Sequence, residues 1–358
     1  PTASDQLAGA KTCGALPPRT ALAYFDCTDY PGMYTRLQGD IDGPRLAAQF
    51  REHPSHDEYV QARAPAVPAL AARQPATGDE RAEMAPAATP PQSPARQLRI
   101  LIQRYAEIVT RDRRNLWLLL LQAPIIAALA AVIAKPHALT ELPDAAGSRS
   151  LLIIMSCSMI WLGAMNAARE IVKELPIYRR ERMVGLGLAP YLASKYVVLG
   201  GLCLFQAATL LLGIGLRARL PAQGILLSGP LELYVTLLLS AVAGLAMGLM
   251  LSTLFNNADR ATALIPYLLI PQIIFVVAKL EGFGSAVASL TISRWSLQAL
   301  GATVDLAKFP AALGGLDPSE YTHSVSFLLS RWLILLAMAA AFAAAGLFFL
   351  KRHDGELM

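Results

Sequence analysis

An all-α integral membrane protein of six spans is the fold class that this sequence predicts, on three observations. Of its 358 residues, 54% are hydrophobic and only 16% charged, with mean hydropathy +0.43, a balance outside that of ordinary soluble domains. Six stretches, near 116 to 134, 150 to 168, 196 to 216, 233 to 255, 261 to 278 and 332 to 350, carry no formal charge. Each is about as long as a helix must be to cross roughly 30 Å of hydrocarbon. The basic residues are also sorted: they cluster before the first stretch, at Arg96, Arg99, Arg104, Arg111, Arg113 and Arg114, between the second and third, and after the last, at Lys351 and Arg352. The positive-inside rule turns that sorting into an orientation, with both termini in the cytoplasm of a cell (inner) membrane. Arg217 and Arg219, after the third stretch, run against the rule.

Taken in order, residues 1 to 63 mix aromatic and charged residues, notably over 19 to 63, and are expected to form short helices too few to bury a core of their own. The chain begins at Pro1 rather than Met, as a fragment or processed product would, and its polar start has no resemblance to a cleavable signal peptide. Residues 64 to 95, "APAVPALAARQPATGDERAEMAPAATPPQSPA", lack aromatics and read as a disordered Pro/Ala-rich linker.

Residues 96 to 114 change character. Leu98, Leu101, Ile102, Tyr105, Ile108 and Val109 recur at helical spacing, with Arg99, Arg104, Glu107 and Arg111 largely opposite. This is an amphipathic connecting helix, expected flat on the inner membrane surface, with Arg99, Arg104, Arg111, Arg113 and Arg114 toward anionic headgroups. The alternative is a helix packed on protein.

Residues 115 to 352 form the six-span region, and 353 to 358 a cytoplasmic tail. Between the second and third spans lies "REIVKELPIYRRERMVGLG" (169 to 187). Glu170 and Glu174 stand at i,i+4 with Lys173 between, Pro176 is expected to stop or bend the helix before "YRRER", and Gly185 and Gly187 turn the chain back. In the fourth span "GLAMG" (244 to 248) supplies a small-xxx-small pair suited to close helix approach, within the chain or with a second copy. In the fifth, Pro266 and Pro271 interrupt the hydrogen-bond ladder and mark a kink or gate. Asn166, Gln206, Thr209, Thr236 and Gln272 either join helices or line a cavity; Asn166, Gln272, Phe275, Pro266 and Pro271 are the candidates for a cavity or gate. "FGSAVASLTIS" (283 to 293) is too short to cross and reads as a re-entrant or interfacial hairpin.

Enzymatic chemistry finds little to work with. There is no HExxH, GxSxG, GxGxxG after a strand or phosphate-cradling GxxxxGK[ST], so no catalytic or metal residue is nominated. The histidines are scattered, and "HPSH" (53 to 56) is a poor metal site with a proline inside it. Cys13, Cys27, Cys157 and Cys203 show neither paired nor ligand spacing. No feature points to a nucleic-acid partner. The spans lack mid-membrane carboxylates, which disfavours ion-coupled carriers.

Three stretches carry a family resemblance. "EIVKELPIYRRERMVGLGLAPYLASKYVVL" is similar to the second-to-third span connection of ABC-2 type permeases of the ABCG, White-like group, with its "ER" pair, following Gly and "SK". "LRILIQRYAEIVTRDRRNLWLLLLQ" resembles that family's connecting helix and first span, and "ISRWSLQAL" (292 to 300) its "SRW" segment. "ALAYFDCTDYPGMYTRL" looks like the linker after the ATPase domain in fused bacterial members. The resemblance implies the permease half of an ATP-driven exporter working as a homodimer, with "GLAMG" as slight support for the pairing. It implies partners of three kinds: an ABC ATPase domain fused upstream or on a separate chain, a second copy of this chain, and membrane lipid. ATP and Mg would then belong to that ATPase domain, and this chain alone would hydrolyse no nucleotide. It places Glu170, Lys173, Glu174, Arg179, Arg180, Glu181 and Arg182 in a segment coupled to the ATPase. The competing expectations are a membrane scaffold or regulator that kept the fold and lost transport, and an integral-membrane enzyme acting on lipid, for which no interfacial polar cluster is visible.

Overall fold

The computed structural model describes residues 48, 50, 52 to 56, 93 to 140, 145 to 255, 257 to 277, 282 to 308 and 317 to 355. Contacts divide the chain into Pro1–Thr89 and Pro90–Met358. In the first unit, the described residues include one helical turn, Pro54–His56, with the buried Phe50 set edge-on to His56 at 5.6 Å between ring centroids. The expected short helices of 1 to 63 otherwise lie outside the described residues, as do 64 to 92 of the expected linker and 356 to 358 of the tail.

The regular elements of the second unit, among its described residues, are helices, apart from an isolated bridge between Gln223 and Ser228. It opens with α1 (Pro94–Arg111), capped by Ser93, whose hydroxyl accepts from Arg96 N at 3.3 Å, with Pro94 in the first turn where a missing N–H costs nothing. The connecting helix does not run straight into the first span. Asp112 breaks it for one residue and caps α2 (Arg113–Ile133) by accepting from Asn115 N at 3.2 Å. The spans continue as α3 (Ala145–Ala167), α5 (Leu188–Gly215), α6 (Gly229–Leu254), the pair α7 (Ala258–Ala263) and α8 (Ile265–Val277), and α11 (Val325–Gly355). The short α4 (Leu175–Met183) lies between α3 and α5, while α9 (Phe283–Ala288) and α10 (Ile292–Thr303) precede α11. Among the described residues, six helices are long and apolar enough to cross a membrane. Large apolar side chains such as Val132, Leu129, Leu333 and Tyr267 are more than half exposed, which hydrocarbon surroundings reward and water does not.

The core is built on α6, whose Leu233, Leu237, Ala241, Leu245 and Leu249 are buried at successive turns. α3 packs against it backbone to backbone. A Cβ on Gly163 would strike the Ala241 carbonyl, one on Gly244 the Ile160 carbonyl, and one on Gly248 the Ala164 carbonyl. The "GLAMG" pair is therefore spent inside the chain, between the second and fourth spans, and gives no support to a pairing of two copies. Gly244→Val should force these helices apart and cost about 1 to 3 kcal/mol or more, read as a lower unfolding midpoint in detergent; Gly200→Val, which meets nothing within 4 Å, is the control.

Polar side chains inside the bundle mostly join helices. Asn166 donates to Gln206 Oε1 at 2.8 Å, and Gln206 Nε2 to the Leu119 carbonyl at 3.0 Å, linking α3, α5 and α2. Ser240 donates to Ser296 at 2.6 Å, and Trp332 Nε1 to Thr236 at 2.8 Å. The fifth span breaks at Leu264, with Pro266 in the first turn of α8 and Pro271 inside it. The segment after it is the expected hairpin, but longer: α9 turns at Ser289 to Thr291 into α10, which continues to Thr303 and is almost wholly buried. Arg219 N bonds the Pro136 carbonyl at 2.8 Å, so the turn after α5 lies beside the end of α2, away from α4.

Candidate functional site

The connection between the second and third spans departs from the helix that its sequence suggests. α3 ends at Ala167, a turn follows, Val172–Glu174 is a 3-10 segment, and α4 begins at Leu175. Pro176 does not stop a helix before "YRRER"; it sits in the first turn of α4, and the helix runs on through Arg182. A proline tolerates the start of a helix, where its absent N–H would be unpaired anyway. The break consequently falls earlier, and Glu170 and Glu174 do not share one helix. The amides freed there have a partner: Ser252, near the end of α6, accepts from Ile171 N at 3.0 Å and Val172 N at 3.1 Å.

Around this break lies a buried ionic cluster. Glu170 and Glu174 are 9% and 8% exposed, so neither is offered to a partner protein. The Tyr105 hydroxyl of α1 donates to Glu170 Oε2, and Lys173 Nζ pairs with Glu170 Oε1 at 2.6 Å. Lys195 of α5, 1% exposed, donates to Glu174 Oε2 at 2.6 Å. Its ammonium also lies 3.4 Å from the centroid of the Tyr105 ring. Tyr191 completes the group, donating to Glu174 Oε2 at 3.4 Å, with its ring tilted against that of Tyr178 at 4.9 Å between centroids. Burial, followed by the charges of Glu170 and Glu174, pushes the Tyr105 hydroxyl far above its ordinary range, so it remains a donor at any physiological pH. Two carboxylates, two ammonium groups and two phenols thus lock α1, the α3–α4 connection and α5 to one another.

A second set of contacts fastens the far end of α4. Gln97 of α1 donates through Nε2 to the Gly185 carbonyl at 3.2 Å and accepts through Oε1 from Gly187 N at 3.0 Å. Gly185, at φ 99, takes a left-handed turn that side chains avoid. Arg104 of α1 pairs with Glu181, and Arg182 Nη1 donates to the Leu186 carbonyl at 2.5 Å. α1 is therefore packed on protein: Leu101 and Tyr105 are buried against α5, leaving Ile108 as the exposed apolar residue of its stripe. Arg99, Arg111, Arg113 and Arg114 are exposed, with Arg111 bridged to Glu107 at 2.6 Å.

What the connection shows to its surroundings is a different set: Arg169, Lys173, Pro176, Ile177, Arg180, Met183 and Val184 are exposed, Met183 at 78% and Val184 at 86%. Arg179, Glu181 and Arg182 are half-buried. The seven residues named from the sequence thus divide into an inward lock and an outward, basic and apolar face.

An open apolar cavity of about 360 Å³ lies between α2, α3 and α8, lined by Ile126, Ile153, Ile154, Cys157, Ser158, Trp161, Leu269, Gln272 and Ile273, with Trp161 and Ile273 exposed at its edge. Of the expected cavity or gate residues, Gln272 is at its wall, with Oε1 accepting from Ser293 N at 3.0 Å. Asn166 is committed to Gln206, while Phe275, Pro266 and Pro271 do not line it. Among the described residues no group of His, Cys, Asp and Glu is disposed to hold a metal ion.

The sequence profile of the ABC-2 type transporter matches residues 96 to 281. The chain is also 27% identical over 347 residues to the ABC transporter ATP-binding/permease protein Rv1747 of Mycobacterium tuberculosis, an alignment that takes in 93% of this chain and 37% of that protein. The chain therefore spans little more than a third of the length of the relative it matches.

Proposed function

The chain belongs to the ABC-2 type transporter family, a multi-pass membrane component of transport, and from that premise we propose that it is the permease half of an ATP-driven exporter. ATP and Mg would be bound by an ABC ATPase domain, joined to this chain or separate from it, in keeping with the combined ATP-binding/permease name of the mycobacterial relative. The observation that carries this reading is the α4 connection, which is tied inward at Glu170, Glu174, Glu181 and Gln97 while facing outward with Ile177, Arg180, Met183 and Val184. A partner that pushes on this face moves α1, α3 and α5 with it, because a packed, hydrogen-bonded unit shifts as a body rather than deforming.

In this reading α4 faces the cytoplasm, and α1 lies at the inner membrane boundary with Arg99, Arg113 and Arg114 toward lipid headgroups. Two copies pair so that the exposed face of α8, at Tyr267, Ile270 and Ile274, borders the pathway. The cavity between α2, α3 and α8 is apolar enough to suit a hydrophobic cargo. A photo-crosslinking residue at Val184, in the native transporter, tests the docking face. Crosslinked peptides should come from a nucleotide-binding domain carrying a phosphate loop; crosslinks confined to lipid or to this chain's own spans would refute it.

A further inference from the structure

At the end of the bundle away from α4, three arginines from three elements gather around Glu320 and Tyr321. Arg294, at the start of α10, donates to the Ser285 carbonyl at 2.8 Å, to Ser285 Oγ at 3.0 Å and to Glu320 Oε1 at 2.9 Å. Arg149 of α3 donates to the Val276 carbonyl at 3.0 Å and lies near Tyr321, the neighbour of Glu320. Arg331 of α11 forms no ion pair among the described residues. Its guanidinium carbon lies instead 4.1 Å from the Phe327 ring centroid and 4.9 Å from that of Trp295, and its buried Nε has no hydrogen-bond partner. Among the described residues, Glu320 is the carboxylate paired within this group of three guanidinium charges.

Its depth identifies the environment. From Arg331 to Lys351 α11 is uncharged, and twenty residues of helix rise about 30 Å, the thickness of the hydrocarbon core. Arg331 thus stands at the headgroup level of one leaflet if Lys351 stands at the other. Trp295 and Trp332 beside it are the residues that favour that boundary. Below it on the same face of α11, three and seven residues on, stand the half-buried Ile334 and Met338, a strip on which an acyl chain can lie. A soluble anion would have no use for that surface.

We propose that Arg331, with Arg294 beside it, binds the phosphate of an anionic phospholipid whose acyl chains run along Ile334 and Met338. The guanidinium supplies paired donors to phosphate oxygens, and its two aromatic neighbours hold it in place. The site would make a defined lipid part of the bundle where α10 and α11 meet.

Trp295 and Trp332 report on the site directly. The full chain, with Trp117 and Trp161 replaced by Phe, is titrated in mixed micelles with brominated phosphatidylglycerol or brominated phosphatidylcholine, and quenching of tryptophan fluorescence is read. Phosphatidylglycerol should quench at a mole fraction about tenfold lower. R331Q should reduce that preference about fivefold, and R331K should retain most of it. Glycerol phosphate at millimolar concentration should not relieve the quenching. Equal quenching by the two lipids, a preference that survives R331Q, or competition by glycerol phosphate would each overturn the assignment, the last by pointing to a soluble phosphate ligand.

Discussion

Lys195→Met is expected to lower the stability of the chain by about 3 to 5 kcal/mol, the cost of leaving a buried carboxylate without its counter-charge. The Lys195 and Glu174 side chains are 2% and 10% exposed, and among the described residues Glu174 Oε1 already lacks a hydrogen-bond partner. Removing the ammonium leaves the charge with the long Tyr191 contact alone, and removes the cation from the Tyr105 ring as well. In detergent the unfolding midpoint should fall by roughly 10 °C, given the few degrees per kcal/mol of a chain this size. Glu174→Gln alone should also destabilise, whereas Glu174→Leu with Lys195→Met should recover most of the loss, because apolar packing replaces a buried ion pair at little cost. The double-mutant cycle measures the coupling directly. Additive single effects would mean that the two side chains do not support each other.

The six spans were legible because hydropathy and length report them without any knowledge of partners. The ionic lock was half legible. Glu170, Glu174, Glu181 and Arg182 stand out as charges between apolar stretches, but Lys195 sits at the very edge of the third span and reads as its flank. Nothing periodic ties it to Glu174, twenty-one residues earlier; only the fold of α4 brings them together. Tyr105 was visible as part of an apolar stripe and its burial follows from that, but the use of its hydroxyl does not. Gln97 was invisible, since its partners are backbone groups of a turn. Pro176 misled because proline marks both the end and the beginning of helices, and the Ser252 hydroxyl that stabilises the earlier break comes from another span. The small residues of "GLAMG" announced a close approach but not its partner, which the Ile160 and Ala164 carbonyls of α3 supply.

Glu181→Ala should have the opposite profile from Lys195→Met: a small effect on stability and a large one on coupling. The Arg104–Glu181 pair is about a third exposed, and such pairs contribute about 0.2 to 1 kcal/mol. Its position matters more than its strength, since it joins α1 to the half of α4 that ends in the exposed Met183 and Val184. Without it, and without the Arg182 bond to the Leu186 carbonyl, a push on this face should be absorbed locally instead of reaching the spans. The buried lock would still hold the fold together, so a loss of coupling would not be a loss of structure.

Cys157 offers a readout that needs no knowledge of the cargo, because it lines the apolar cavity. With Cys13, Cys27 and Cys203 replaced by alanine, its alkylation by a membrane-permeant maleimide can be timed in proteoliposomes containing the ATPase domain, with and without Mg and ATP. Coupling through α4 predicts that ATP changes the rate on the order of fivefold, and that Glu181→Ala with Arg182→Ala abolishes this response while ATP hydrolysis continues. A Cys157 rate indifferent to ATP in the parent protein, or a response that survives both substitutions, would contradict it and leave the membrane scaffold as the better reading.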